Sequence, residues 1–266
     1  MKIWGLAIAV ALFGLGFNAQ AEGTAQGHGE APAGLGDGAP HWSYSGEGGP
    51  GTWGTMSSEF AACATGHNQS PIDIADAETA EMKRLQLSYK VTPLELLNNG
   101  HTIQATYQPG STLHVGNKAY ALAQFHFHTP SEHLVRGAPA AMEIHFVHKD
   151  AAGAIAVIGV LVTEGTHNMA AEELIAQLPG RGGETVKAAS TLINARDLMP
   201  DGMDYFRYMG SLTTPPCTEG VNWFVLKEPI SMSAEQISRL TAVMGQNARP
   251  AQPRNGRLLL DATSTR

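Results

Sequence analysis

Positive charge is scarce in this chain: 17 Lys and Arg stand against 24 Asp and Glu, for a formal net charge of −7 at pH 7. An acidic surface of that kind offers no footing for phosphates, which excludes nucleic acid and anionic membrane as partners. Long apolar runs are missing as well. After residue 17 nothing approaches the roughly 18 uninterrupted apolar residues of a membrane span. Cysteine is down to two residues, Cys63 and Cys217. What remains, 43% hydrophobic and 15% charged residues over 266 positions, is an ordinary globular composition with no sign of extended disorder.

The first 21 residues read as a signal peptide, with Lys2 as the charged start, a mostly apolar stretch from Ile3 to Phe17, and Ala19-Gln-Ala21 as the cleavage site. Residues 22–40 are rich in Gly, Ala and Pro and read as a flexible spacer. The mature protein is therefore expected to be soluble and periplasmic or secreted. In that oxidising setting Cys63 and Cys217 favour a disulfide, worth about 4 to 5 kcal/mol for so long a loop in the chain-entropy model. Two buried free thiols are the alternative.

Folding should begin near His41-Trp42. Short alternating runs recur at Leu94 to Leu97, Thr102 to Tyr107, Thr112 to Val115, Tyr120 to Thr129, Met142 to His148 and Ile155 to Val162. They predict a mainly β protein, a β-rich α+β fold: one domain over 41–266 around a large, twisted, mostly antiparallel sheet of about ten strands, with a few short peripheral helices. The run Ile155 to Val162 is apolar on both faces and should be a central strand. Ser233 and Gln236 form a capping-box pattern ahead of Ile237, Leu240 and Val243, with Gly245 as the stop. Asn168 is placed to cap a second helix running through Leu178.

Function is written in three histidines on two of these strands. In Gln124-Phe-His-Phe-His-Thr129 the period-two pattern puts His126 and His128 on one face and Phe125 and Phe127 on the other. Arg136-Gly-Ala-Pro139 is a turn signal that would bring Met142-Glu-Ile-His-Phe-Val-His148 back alongside, with Glu143, His145 and Val147 on one face. Three neutral nitrogens with an open fourth position describe a catalytic zinc site, Zn²⁺ being the expected cofactor. Gln124 and Glu143 lie on the same strand faces as His126 and His145 and can orient those imidazoles from behind. Glu132 could be a ligand, a buried orienter or a loop charge. Among the 11 histidines, His28, His67, His114 and His167 read as ordinary surface or core residues.

Gln124-Phe-His-Phe-His128, Ser131-Glu-His133, Glu143-Ile-His-Phe-Val-His148 and Gly210-Ser-Leu-Thr-Thr-Pro-Pro216 together resemble an alpha-class carbonic anhydrase. The likeness extends in colinear order to His41-Trp-Ser-Tyr44, Asn68-Gln-Ser-Pro71, Leu97-Asn-Asn-Gly-His101, Trp223-Phe-Val-Leu-Lys-Glu-Pro229 and Asn247-Ala-Arg-Pro-Ala-Gln-Pro253. It implies a zinc enzyme that reversibly hydrates carbon dioxide to bicarbonate and a proton through attack of zinc-bound hydroxide. His126, His128 and His145 would be the ligands. Thr213 would accept from the hydroxide and donate to an ionised Glu132, while its backbone N–H meets the developing bicarbonate oxygen. Val147, Val157, Leu212, Thr213, Thr214 and Trp223 would receive the substrate, and Tyr44, Asn99 and Gln104 would hold a water chain.

His101 resembles the family's proton shuttle. Carbonic anhydrases are themselves the type example of a metal-bound water of pKa about 7, and a group of that pKa sheds protons to water at only about 10³ per second, against a turnover near 10⁶ for the class. An imidazole relay answers that shortfall. By spacing alone, His101 reads equally as a surface histidine after an Asn-Gly turn. The resemblance also matches Cys63 and Cys217 to the disulfide of exported members, and Ser70-Pro71 and Pro215-Pro216 to two cis peptide bonds. Thr129 and Ala248 depart from aromatic residues common in the family, at positions without a catalytic role. Other readings are a cupin-type metalloenzyme, from His126-x-His128-x-x-x-Glu132, and a noncatalytic zinc-binding module. A homodimer is left open.

Overall fold

Strand-forming alternation dominates residues 41–265, the part of the chain that the computed structural model describes; the expected leader at 1–21 and spacer at 22–40 lie outside the described residues. The strands are β1 Asp73–Ile74, β2 Glu78–Lys83, β3 Gln86–Ser88, β4 Thr92–Asn98, β5 Ile103–Thr106, β6 Thr112–Val115, β7 Lys118–His128, β8 Leu134–Val135, β9 Ala138–Pro139 and β10 Met142–Lys149. They continue with β11 Ile155–Glu164, β12 Thr185–Ile193, β13 Tyr205–Ser211, β14 Glu219–Leu226, β15 Ile230–Met232 and β16 Leu260–Thr265. Among the described residues four α-helices accompany them: α1 Trp53–Met56, α2 Ala62–Thr65, α3 Met169–Ile175 and α4 Ala234–Met244.

Thirteen strands make one sheet, whose main path runs β12-β4-β5-β7-β10-β11-β14-β13-β16-β2. The sheet is mixed. Pairings are antiparallel except β11 with β14, β11 with β15 and β16 with β2. Strands β1, β8 and β9 form a small second sheet. The turn expected at Arg136 closes the β8–β9 hairpin, with both central residues at positive φ (Arg136 51°, Gly137 79°), as a two-residue hairpin turn requires. Beyond it β10 returns antiparallel to β7.

Each face of the sheet is buried against something different. Ala156, Ile158, Val160 and Val162 of β11 join Phe125, Phe127, Ile144 and Phe146 in the larger core, which α3 and α4 close with Leu174 and Leu240. Val157 and Leu161 point the other way, into a cluster with Tyr208, Trp223 and Val225. That double burial explains a strand without alternation. Strand β7 has a phase shift that its sequence hides. Tyr120 and Leu122 share a core with Phe125 and Phe127 although their numbers differ in parity. The cause is a bulge: Val147 pairs with Gln124 but His148 pairs with Leu122, which leaves Ala123 unopposed.

Helix α4 carries the full capping box, and Gly245 ends it at φ 68°. Asn168 caps α3 through a hydrogen bond from the Ala171 N–H, but the helix ends at Ile175 rather than Leu178. There the Gln177 N–H turns to the Leu174 carbonyl, three residues back, as the chain tightens ahead of Pro179.

On the core face His148 is fully buried, with Nε2 2.6 Å from the Tyr89 hydroxyl and Nδ1 3.3 Å from the Ala156 carbonyl oxygen. Burial pushes this imidazole down to about 4. The unfolded chain would therefore take up this proton first, near pH 6.5. Stability should fall between pH 6.5 and 4, by about 3 kcal/mol from this residue, and level off below. His148→Gln should flatten the decline in urea midpoint with falling pH; an unchanged slope would mean that His148 does not drive it.

Candidate active site

Strand register brings the site together. Gln104 of β5, His126 of β7, His145 of β10 and Gly159 of β11 lie on one rung across the sheet, and His128 pairs with Glu143 two residues along. A nitrogen from each of His126, His128 and His145 lies within 4.8 Å of the other two. The remaining nitrogen of each ring is committed elsewhere. His126 Nδ1 is 2.8 Å from Gln124 Oε1, His128 Nδ1 is 2.8 Å from the Asn247 carbonyl oxygen, and His145 Nε2 is 2.9 Å from Glu143 Oε1. Gln124 Oε1 and the Asn247 carbonyl are hydrogen-bond acceptors, so His126 and His128 carry their protons on Nδ1 and turn the Nε2 lone pair inward; His145 Nε2 has the Glu143 carboxylate beside it, a contact without hydrogen-bond alignment.

The inward face has an excess of lone pairs. His128 Nε2 and Glu132 Oε2 are both buried without a hydrogen-bond partner, 3.5 Å apart, and His145 Nδ1 lies 3.8 Å from the same oxygen. Buried acceptors facing one another with no donor between them fit a cation. Burial pushes all three imidazoles below their ordinary value, His128 to about 4, so they stay neutral near pH 7. The residues present thus fit a tetrahedral divalent metal with one position left for water.

Glu143 is the anchor behind the tripod. Oε2 accepts from the backbone N–H groups of Glu132 (3.0 Å) and His133 (2.9 Å), and Oε1 lies 2.7 Å from His133 Nδ1. Burial pushes its carboxyl up, but His133 and His145 outweigh that and hold it well below the usual carboxylate range. Glu132 differs. Burial raises it to about 7, against the opposing pull of His145, the Arg249 N–H (2.9 Å) and the Thr213 hydroxyl.

Around the tripod, Val147, Val157, Leu212 and Trp223 fall in one apolar cluster, and the Trp223 ring stands edge-on to His145 at 4.8 Å. The Thr214 carbonyl accepts from the Cys217 N–H (2.8 Å), which closes the loop that carries Thr213. Cys63 and Cys217 form a disulfide, with Cα atoms 5.1 Å apart. Ser70–Pro71 and Pro215–Pro216 are cis, and so is Thr129–Pro130. His101 lies flat on Trp42 (centroids 3.7 Å, planes 6° apart) with His41 at 5.9 Å. Burial, then His41, lowers its imidazole to about 4. Asn99 builds the turn that presents it, its Oδ1 accepting from the His101 and Thr102 N–H groups. Tyr44 packs edge-on against Trp42 and Trp53, and burial, then Glu132, raises its hydroxyl well above the ordinary value.

Residues 48–262 match the family model described as eukaryotic-type carbonic anhydrase. The chain belongs to the alpha-carbonic anhydrase family. A carbonic anhydrase of Pectobacterium carotovorum is 44% identical over 221 residues, 83% of this chain and 90% of that protein. Among solved structures, the alpha-carbonic anhydrase of Photobacterium profundum is 48% identical, with a TM-score of 0.79 over 83% of this chain and all of that one. The enzyme from Thermovibrio ammonificans, solved with the inhibitor sulfanilamide, is 44% identical, with a TM-score of 0.81 over 84% of this chain and all of that one. The protein is thus an enzyme, a carbonic anhydrase with a small-molecule substrate, which removes the cupin and noncatalytic readings.

Several residues of this carbonic anhydrase site had no role from sequence. His133 joins Glu143 to the Tyr208 hydroxyl (2.7 Å), which is 2.8 Å from Ser70 Oγ. Asn247 orients His128 through its carbonyl, while its side-chain amide donates to the carbonyls of His101 and Phe127. Arg249 donates to Gln69 Oε1, the Ser70 carbonyl and the Cys63 carbonyl from a fully buried guanidinium. Both residues lie in Asn247-Ala-Arg-Pro250, a segment that signalled resemblance but no contact.

Arg249→Met should strand those acceptors and lower stability by about 3 to 5 kcal/mol in denaturant titration. Arg249→Lys should recover only part of the loss, because one ammonium cannot reproduce the planar fork. Full recovery by Lys would show that charge, and not the fork, is what matters.

Proposed function

We propose that this chain is a zinc carbonic anhydrase that interconverts carbon dioxide and bicarbonate, with His126 Nε2, His128 Nε2 and His145 Nδ1 holding the metal. The observation that carries the reading is the tripod of neutral imidazoles, each with its outer nitrogen against an oxygen, around a buried His128 Nε2 that has no partner of its own. Zinc bound there supplies a Lewis acid that makes a nucleophile available from water near neutral pH.

The protein's own groups do the rest. Glu132 accepts from the Thr213 hydroxyl, so the Thr213 Oγ lone pair faces the reacting oxygen and fixes its orientation. The Thr213 backbone N–H is the donor for negative charge developing on the substrate. Val147, Val157, Leu212 and Trp223 exclude water and offer carbon dioxide an apolar wall. Thr214 lines the substrate side, and Gln104, Asn99 and Tyr44 hold water between the tripod and His101, which passes the proton to buffer. An imidazole lowered to about 4 takes a proton reluctantly and gives it up readily, so export should limit turnover. The disulfide accords with a periplasmic or secreted location after leader removal.

Metal analysis and a hydration assay on one purified sample test the reading. Chelator-stripped protein should be inactive and zinc should restore it. His101→Ala should lower maximal hydration turnover but leave carbon dioxide–bicarbonate isotope exchange at equilibrium nearly unchanged, and added imidazole should restore the loss. Thr213→Ala should depress both rates by roughly 100-fold. Full turnover of His101→Ala in weak buffer would remove His101 from the proton path.

A further inference from the structure

Seven of the eight residues from Ile155 to Val162 carry an apolar side chain, and the eighth, Gly159, carries none. Glycine weakens a strand interior, so its presence in a central strand calls for a reason. The backbone supplies none, because Gly159 is not among the positive-φ residues and any amino acid could adopt its conformation. Space supplies one. Gly159 pairs with His145, and a Cβ added to it would stand 2.8 Å from Glu143 Oε1, 3.6 Å from Val225 Cγ2 and 3.8 Å from Trp223 Cζ3.

The first contact is too short to keep, and the atom in the way is not free to yield. A carboxylate tip normally swings aside. This one is fully buried and held by the Glu132 and His133 N–H groups and by His133 Nδ1 at 2.7 Å, with His145 Nε2 2.9 Å from Oε1. To make room for a methyl group it must give up contacts, and Oε1 is the oxygen that meets His145.

We propose that Gly159 is a positioning residue for the metal centre: by carrying no side chain it leaves the space in which the Glu143 carboxylate stands against His145 Nε2 and keeps His145 Nδ1 turned to the tripod. This deepens the zinc reading above and rests on it. Partners that orient a metal-binding histidine typically change metal affinity by about 10- to 100-fold when lost. Gly159→Ala acts on that contact at one remove.

Zinc dissociation constants, measured by competition with a chromogenic chelator, and unfolding midpoints of the zinc-free protein test this. Gly159→Ala should bind zinc about 10- to 100-fold more weakly. Val160→Ala, on the opposite face of the same strand, should lower the midpoint yet keep full affinity. The double variant Gly159→Ala/Glu143→Ala should bind no more weakly than Glu143→Ala, since removing the carboxylate makes room for the methyl. Unchanged affinity in Gly159→Ala, or losses that multiply in the double variant, would overturn the inference. If Gly159→Ala does not fold, a folded double variant supports it, and failure of both overturns it. An unmodified protein that binds no zinc would instead sink the zinc reading itself.

Discussion

One buried carboxylate holds the centre of this molecule in order. Glu143 has no solvent to stabilise its charge, and an ionised group so placed costs several kcal/mol unless donors surround it. The donors come from the loop after β7 through two backbone N–H groups and from the His133 ring, and the His145 ring on its own strand stands 2.9 Å away. Meeting the electrostatic requirement of one side chain therefore fixes where the loop turns, how His133 sits and which nitrogen of His145 faces inward. Glu132 is placed by the same loop, and the Arg249 N–H that donates to it ties the carboxy-terminal segment to the site.

The sheet provides the second constraint. A strand of period two separates the polar work of one face from the packing of the other, so Phe125, Phe127, Ile144 and Phe146 can be chosen for the core without reference to the histidines between them. Rigidity of that core is what lets a nitrogen from each of three rings on two strands stand within 4.8 Å of the other two without a loop having to fold around them.

How far this was legible depended on range. The tripod, its strands, the central β11, the cap of α4 and the places of Gln124 and Glu143 beside His126 and His145 all follow from residues two to four apart, where periodicity is informative. Strands β2 and β12 escaped notice because they edge the sheet: Glu78–Lys83 and Thr185–Ile193 expose one side and carry little of the apolar pattern that marks a strand. His133, Tyr208, Asn247 and Arg249 escaped for another reason. Their partners are backbone groups or side chains many residues away, and no local spacing encodes a carbonyl oxygen. The departure of α3 at Ile175 shows the ordinary limit of boundary reading next to a proline.

The unopposed Ala123 divides β7 into two reading frames. Upstream the even-numbered residues Tyr120 and Leu122 face the core, and downstream the odd-numbered Phe125 and Phe127 do. The bulge absorbs the extra residue, so the two frames meet without turning either half over. Without Ala123 the strand would alternate without interruption, with Tyr120, Leu122, Phe125 and Phe127 still on the core face and the imidazoles on the other. What the strand cannot do is straighten at its full length: either the imidazoles would then enter the core, or Ala119 and Ala121 would stand where Tyr120 and Leu122 now pack. A kink in the backbone is here the device that lets two stretches of sequence in opposite phase furnish one continuous surface.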